Sequence, residues 1–153
     1  MGAWSHEPFG NDTATDWAYE LEDCRDLSHI ERALDRVLQC GDEYLEATEA
    51  EEAVAAVEVI AQLLGRPTQT DAYTEKVKEW ARQTSAKPSE ALKSKARQVL
   101  TRVAGDNSEL RELWRESDDA QSWITSLQRL RDALLGYDPS HVLNSHTYHQ
   151  HHD

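Results

Sequence analysis

The chain has 153 residues, of which 39% are hydrophobic and 29% charged, and its mean hydropathy is −0.76. This composition is typical of one soluble globular domain, and no apolar run approaches the roughly 18 residues that a membrane-spanning helix needs. The first residues lack the basic and apolar segments of a secretory signal. Two cysteines, Cys24 and Cys40, are too few for a disulfide framework, which favours a cytoplasmic protein.

The charge is distributed unevenly along the chain. The net charge is −13, and residues 1–65 hold 16 acidic residues against three arginines, whereas residues 66–153 hold 13 of each sign. A negative field repels nucleic acid and anionic lipid and attracts basic proteins. We therefore predict a basic protein partner and neither a nucleic-acid nor a membrane partner. The alternative interpretation is that the acidity only keeps the protein soluble.

Two helices are predicted at the start of the chain. The first covers residues 13–23 with Asp12 as its N-cap, and the second opens with a capping box between Ser28 and Glu31. Their apolar residues recur at helical spacing, which places one stripe of each helix in a core. The residues predicted to face this core are Trp17, Leu21, Cys24, Ile30, Ala33, Leu34, Val37 and Leu38.

The third predicted helix has the clearest signals. A capping box between Thr48 and Glu51 opens it, and Gly65 and Pro67 end it. Because it is apolar almost all round, we predict that it forms the centre of a helical bundle. Its apolar residues are Ala53, Val54, Ala56, Val57, Ile60, Ala61, Leu63 and Leu64.

Four further helices are predicted in the balanced part of the chain. The fourth covers residues 71–84, the fifth has Pro88 in its first turn, the sixth begins near Ser108, and the seventh runs from residue 118 or 119 to Gly136. The residues predicted to face the core are Tyr73, Val77, Trp80 and Ala81, then Leu92, Ala96, Val99, Leu100 and Val103, then Leu110, Leu113 and Trp114, and finally Trp123, Ile124, Leu127, Leu130 and Leu134.

These elements predict the fold class. No segment alternates like a strand, and short connections favour antiparallel hairpins. We predict an all-α protein, with a single compact bundle of about seven helices over residues 1–136; a small solenoid-like stack of hairpins is the alternative. Residues 137–153 lose the helical period and hold five of the seven histidines, which indicates a flexible His-rich tail.

The N-terminal segment combines aromatic residues, glycines and helix-capping side chains. Its aromatic residues indicate an arm that folds back onto the bundle, and Asn11 and Asp12 can both cap the following helix. The motif residues are Trp4, Phe9, Asn11, Asp12, Asp16 and Trp17. Together with the segment from Tyr44 to Ala53 and the Leu-Gly-Arg-Pro run ending at Pro67, they resemble the family catalogued as domain of unknown function 4259, over about residues 1–135. The resemblance implies a small bacterial, cytoplasmic, helical protein and assigns no catalytic residue.

The densest group of acidic residues flanks the start of the third helix. It is the best candidate for contacting lysine and arginine of a partner, with a neighbouring tyrosine as the apolar anchor. The candidate residues are Asp42, Glu43, Tyr44, Glu46, Glu49, Glu51 and Glu52. A second acidic stripe, of Asp12, Asp16, Glu20 and Asp23, has the spacing of one helix face. A metal ion, a basic partner or simple solvation would each fit it.

Chemistry other than protein binding has few signals. No phosphate loop, nucleophile elbow or zinc-protease motif occurs, so we predict a non-enzymatic inhibitor or immunity-type protein that masks a basic effector. The alternative is a metal-binding protein or metal-dependent enzyme that binds a divalent transition metal through the tail residues His146, His149, His151 and His152. A third interpretation is a structural domain within a larger complex. No other cofactor is predicted.

Overall fold

The computed structural model describes residues 5–136, and within this range the chain forms seven α-helices and no β-sheet. A short 3-10 turn, Ala72–Thr74, leads into the fourth helix. The prediction of an all-α bundle of about seven helices is confirmed. The helices are α1 (Asp12–Leu21), α2 (Ser28–Gln39), α3 (Ala47–Leu63), α4 (Glu75–Gln83), α5 (Glu90–Val103), α6 (Glu109–Arg115) and α7 (Ala120–Leu135).

Helix α3 is the centre of the bundle, as predicted. It contacts each of the other six helices, and every residue from Ala53 to Ala61 is buried. Alanine and valine side chains allow neighbouring helices to approach α3 closely on all sides. Helix α5 packs mainly against α2 and to a similar smaller extent against α3 and α7, none of which is its neighbour in sequence. None of the described helices is both long and apolar enough to cross a membrane.

The core contains most of the residues that the helical spacing predicted. The five predicted residues of α5 are all buried, and so are Trp17 and Leu21 of α1. Tyr73 was predicted to face inward, but its side chain is 54% exposed, and Thr74 is buried instead. The reason is that residues 71–84 do not form one α-helix: Tyr73 lies on the 3-10 turn, where the 3.6-residue period does not apply.

The first helix cap differs from its prediction. Asn11, and not Asp12, is the N-cap of α1: the Asn11 side-chain oxygen accepts a hydrogen bond from the backbone N–H of Ala14 at 2.8 Å. Asp12 is the first residue of the helix. Both residues suit this position by type, and the extended backbone conformation of Asn11 decides between them.

Neither predicted capping box forms. At α2, the Asp26 carboxylate accepts hydrogen bonds from both the backbone N–H and the hydroxyl of Ser28, which is already inside the helix. At α3, the helix begins at Ala47, one residue before the predicted cap, Thr48. Helix α5 begins at Glu90, with Ser89 as N-cap, so Pro88 precedes the helix instead of lying in its first turn. Local sequence patterns therefore locate these helices to within about two residues.

The described part of the N-terminal arm folds back onto the bundle, as predicted. Phe9 is completely buried, and its backbone N–H donates a hydrogen bond to the side-chain oxygen of Gln69 at 2.8 Å. The hydroxyl of Ser126 on α7 donates to the carbonyl of His6 at 3.2 Å. A methyl group on Gly10 would lie 2.8 Å from the carbonyl oxygen of Ser5, so this turn of the arm requires glycine.

Candidate functional site

The loop between α2 and α3 is held in place by side chains from α5 and the loop that follows it. The Arg102 guanidinium donates hydrogen bonds to the backbone carbonyls of Gly41, at 2.9 Å, and Glu43. The side-chain amide of Asn107 donates to the carbonyl of Asp42 at 3.1 Å. These bonds engage the backbone and leave the carboxylates of Asp42 and Glu43 exposed to solvent.

The same loop is joined to the beginning of α6. The backbone N–H of Leu45 donates to the carbonyl of Asn107 at 2.8 Å, and the N–H of Glu109 donates to the carbonyl of Leu45 at 2.9 Å. Asn107 adopts a left-handed conformation with φ 55°, which asparagine tolerates better than most residues. This pairing places the acidic residues of α6 beside the acidic residues that precede α3.

Glu109 caps α3 from a distance of 62 residues in sequence. Its carboxylate accepts a hydrogen bond from the backbone N–H of Ala47, the first residue of α3, at 2.8 Å. The negative charge also lies at the positive end of the helix dipole. Sequence analysis missed Glu109 because the only local signal is its position in the first turn of α6, which does not show what it contacts.

Tyr44 lies at the junction of the loop and α6. Its side chain is 50% exposed, and its hydroxyl donates a hydrogen bond to the carboxylate of Glu112 at 2.9 Å. This hydrogen bond to a carboxylate raises the pKa of Tyr44 above its usual value. The bond fixes a half-exposed aromatic ring among carboxylates. Glu112 was not among the residues predicted from the sequence.

The seven residues predicted to contact a partner do not all reach the surface. Asp42, Glu43, Tyr44 and Glu46 are exposed, and Glu49 is half-buried. We define the acidic surface by five of these residues together with the α6 residue that bonds to Tyr44: Asp42, Glu43, Tyr44, Glu46, Glu49 and Glu112. The other two predicted residues, Glu51 and Glu52, have partners within the chain.

Glu51 and Glu52 have different partners within the chain, and their contact with a partner protein stays a prediction. Glu51 is 7% exposed because it turns inward from the first turns of α3, where its carboxylate accepts a hydrogen bond from Thr13. Burial raises the pKa of Glu51, the bond with Thr13 opposes this shift, and the nearby charge of Glu109 adds to it. Glu52 is half-buried and forms an ion pair with Arg36 of α2 at 2.9 Å.

A second carboxylate, Glu58, lies in the centre of the bundle and was also missed. It is completely buried, and its two oxygens accept hydrogen bonds from the backbone and hydroxyl of Thr68, the backbone of Gln69 and the side chain of Gln62. Burial raises its pKa, and these hydrogen bonds oppose the shift. Gln69 in turn accepts the bond from Phe9 described above. Glu58 therefore connects α3, the loop that follows it and the N-terminal arm.

The motif residues of the N-terminal segment separate into two groups. Phe9, Asn11 and Trp17 are buried, and the Trp17 ring stacks on His29 of α2 with ring centroids 4.6 Å apart. Asp12 and Asp16 are exposed, while Trp4 lies outside the described residues. The buried members are therefore part of the core and the first helix cap.

The structure gives no support to a metal site within its described range. Among residues 5–136, no group of three or more His, Cys, Asp or Glu side chains is arranged to hold a metal ion. The acidic stripe on α1 therefore forms no such group. The tail residues His146, His149, His151 and His152 lie outside the described residues, so metal binding by the tail stays a prediction, as does the domain boundary at residue 136.

The fold and the site define a class: a small all-α protein built around one buried helix, with an acidic surface where that helix begins. The chain belongs to the family described as Domain of unknown function (DUF4259), whose model matches residues 2–126. The family resemblance predicted from the sequence is thus confirmed. No curated protein and no solved structure matches this chain. The family description names no activity, so a function has to be inferred from the geometry of the protein itself.

Proposed function

We propose that this protein is a non-enzymatic binding module whose acidic surface receives a basic protein partner. In its most specific form, the proposal is a bacterial, cytoplasmic inhibitor or immunity-type protein that masks a basic effector. The observation that supports it most is the arrangement around Tyr44: an exposed aromatic ring surrounded by carboxylates, on a loop whose backbone is held by Arg102 and Asn107.

The fixed backbone of the loop favours binding. A partner that docks on an ordered loop does not have to order it first, so less conformational entropy is lost on association. Arg102 and Asn107 use their hydrogen bonds on backbone carbonyls, so the loop is held without neutralising Asp42 and Glu43 by direct ion pairs. The carboxylates remain available to lysine and arginine side chains of a partner.

The charge and the aromatic ring have different roles in this proposal. The negative field of the acidic surface increases the rate of encounter with a basic partner, and this effect weakens with salt. Affinity comes mainly from a few central groups that lose water on binding, and tyrosine is frequent among them. Tyr44 is the residue of the acidic surface that can fill this role, because its ring is half exposed and its hydroxyl is already bonded.

The most deeply buried carboxylate does not offer an alternative as a catalytic group. Both oxygens of Glu58 are engaged by donors of the protein itself, and the side chain has no exposed surface. A general base has to reach the proton that it removes from a substrate. The arrangement around Glu58 is therefore that of a structural group, which agrees with a binding module.

The test is capture of a partner from lysate of the source organism on a resin without metal, so that the tail histidines do not contribute. The test variant combines Asp42→Asn, Glu43→Gln, Glu46→Gln and Glu49→Gln. The control variant combines Asp16→Asn, Asp23→Asn, Glu75→Gln and Asp118→Asn, which are exposed and remove the same number of charges elsewhere. We expect a basic protein to be captured by the wild type and the control, released by salt, and lost with the test variant.

Two results would contradict the proposal. If both variants lose the partner equally, only the net charge matters, and the acidic surface is not a specific site. If no basic protein is captured, or if capture does not respond to the test substitutions, the acidity only keeps the protein soluble.

A single substitution, Tyr44→Ala, separates the role of the aromatic ring from that of the charge. We expect the complex to dissociate faster, while the salt dependence of the association rate stays nearly unchanged.

Metal binding by the tail remains the second candidate, because four histidines fall within seven positions. Calorimetric titration with zinc and nickel, on the full chain and on residues 1–136, tests it directly. Binding to the full chain alone would establish a tail site, and equal binding to both forms would reject it.

A further inference from the structure

A groove of about 300 Å³ lies between α1 and the start of α4, away from the residues of the acidic surface. Two tyrosines line it, Tyr19 from α1 and Tyr73 from the 3-10 turn, and both side chains are more than half exposed. Val77 adds apolar surface, while Glu22 and Lys76 are the two charged residues of the lining. The groove therefore combines aromatic faces with one carboxylate and one ammonium group.

The carboxylate in this groove has an unsatisfied oxygen. Oε2 of Glu22 is buried and accepts no hydrogen bond within the described part of the chain. The ammonium group of Lys76 lies 3.9 Å from this oxygen, which is too far for a hydrogen bond, and 4.7 Å from the centre of the Tyr19 ring. A buried acceptor without a donor is costly, so Glu22 is poised to accept a hydrogen bond from a cation that fits better.

We infer that this groove binds an arginine side chain presented by another protein, with the guanidinium stacked on Tyr19 and donating to Glu22. A guanidinium is flat, weakly hydrated and able to donate two parallel hydrogen bonds to one carboxylate while its face lies against an aromatic ring. The ammonium of Lys76 already shows that a cation is attracted to this position. Its side chain is 65% exposed, so it can move into solvent when arginine enters.

Charge complementarity selects this occupant over an apolar one. Glu22 belongs to the first 65 residues, which hold all the excess negative charge of the chain. An apolar ligand would leave the buried Glu22 oxygen without a donor, whereas a guanidinium would supply one. The arginine site does not depend on the acidic surface, since the two share no residue.

The test uses the full chain labelled with ¹⁵N and three blocked tripeptides, glycine-X-glycine, in which X is arginine, lysine or citrulline. Citrulline has nearly the shape of arginine and no charge. We expect saturable shifts of backbone amide signals around residues 18–22 and 73–77 with the arginine peptide, and at least about tenfold weaker binding of the citrulline peptide because the charged hydrogen bonds are lost. The lysine peptide should bind more weakly than the arginine peptide.

Variants identify the groups that hold the peptide. Glu22→Gln should weaken arginine binding by about tenfold or more, and Tyr19→Leu by about threefold. Asp16→Asn is the matched control, because it removes the same charge from an exposed position on α1, the helix that Glu22 directly follows. It should bind like the wild type. Lys76→Met removes the resident cation and should bind arginine at least as tightly as the wild type.

Several outcomes would overturn this inference. They are the absence of saturable shifts in both the wild type and Lys76→Met, equal binding of the citrulline or lysine peptide, and unchanged binding by Glu22→Gln. Shifts at the same amides that grow with protein concentration, without any peptide, would show instead that a second copy of the chain occupies the groove. The acidic-surface variant should bind the arginine peptide like the wild type, so failure of one proposal is distinguishable from failure of the other.

Discussion

Glutamates lie near both ends of α3, but they differ in burial and in hydrogen bonding. Near its start, Glu46 is exposed and has no side-chain capping bond, and Glu49 is half-buried. Near its end, Glu58 is completely buried and accepts hydrogen bonds from three different residues. The comparison shows that a glutamate on a helix gains its role from what the fold places opposite it. Glu46 faces mainly solvent, whereas Glu58 faces the loop that carries Thr68 and Gln69.

Of the substitutions that test this comparison, one at Glu58 should have the largest effect on stability. Glu58→Ala would leave the buried backbone N–H groups around Thr68 and Gln69 without acceptors and open a cavity, so we expect a loss of about 3 kcal/mol or more in the free energy of unfolding. Glu46→Ala on the same helix should change it by less than about 0.5 kcal/mol. Urea unfolding followed by circular dichroism measures both. Equal effects of the two substitutions would show that Glu58 does not hold the loop.

The next effect concerns the start of α3, where Glu109 supplies the cap. Glu109→Ala removes the acceptor for the N–H of Ala47, and we expect it to cost about 1 kcal/mol of stability. Glu109→Gln is the matched control, since it keeps a carbonyl oxygen at nearly the same place and should retain most of the stability. If the two variants unfold alike, the hydrogen bond is not what matters at this position.

The pH dependence of the free energy of unfolding tests the burial of Glu58 in a second way. Burial raises the pKa of Glu58 above its unfolded value, so the folded chain holds this proton more tightly. The contribution of Glu58 to stability is therefore greatest at low pH, and it declines as the pH rises from the unfolded pKa, about 4.3, through the raised one. Glu58→Gln, which stays neutral, should flatten this decline above about pH 4.

The measurement is the free energy of unfolding of the wild type and of Glu58→Gln at a series of pH values above about pH 4. Glu51, whose pKa is also raised by burial, contributes a decline of the same sign, so Glu58→Gln flattens the slope without abolishing it. An unchanged or steeper decline in Glu58→Gln would be evidence against a raised pKa at this position.

The smallest expected effect lies on the acidic surface. Glu112→Gln removes the charge next to Tyr44 but keeps an acceptor, so the pKa of Tyr44 should fall back towards 10.0. Stability should change by less than about 0.5 kcal/mol, because the pair is exposed. Titration by tyrosinate absorbance, with Tyr44→Phe to assign the signal, checks this. A pKa that does not move would mean that the bond to Glu112 does not persist in solution.

Much of the fold could be predicted from the sequence because helical periodicity is a local signal. The stripe from Leu92 to Val103 repeats at the spacing of one helix face, and the structure buries all five of its predicted residues. Helix α3 is apolar almost all round, which likewise predicted a helix surrounded by others. The error at Tyr73 arose where a 3-10 turn interrupts the α-helical period, and composition alone does not mark that change.

The candidate site was less accessible to such reasoning. The acidic residues before α3 are visible in the sequence, but the distinction between the exposed Glu46 and the buried Glu51 is not. The groove beside Glu22 joins residues from α1 and α4 whose proximity no local pattern indicates. Glu109 and Glu112 similarly acquire their partners only when the start of α6 pairs with Leu45.

The sequence by itself therefore determined the all-α class, the central position of α3, the family and the excess of negative charge in the first 65 residues. These follow from periodicity and composition, which act over a few turns of helix or over the whole chain. Only the tertiary structure decided which glutamates are charges on a surface and which are hydrogen-bonded parts of the core. The physical reason is that burial and hydrogen bonding depend on groups distant in sequence, such as Thr68 for Glu58, and packing alone brings them together.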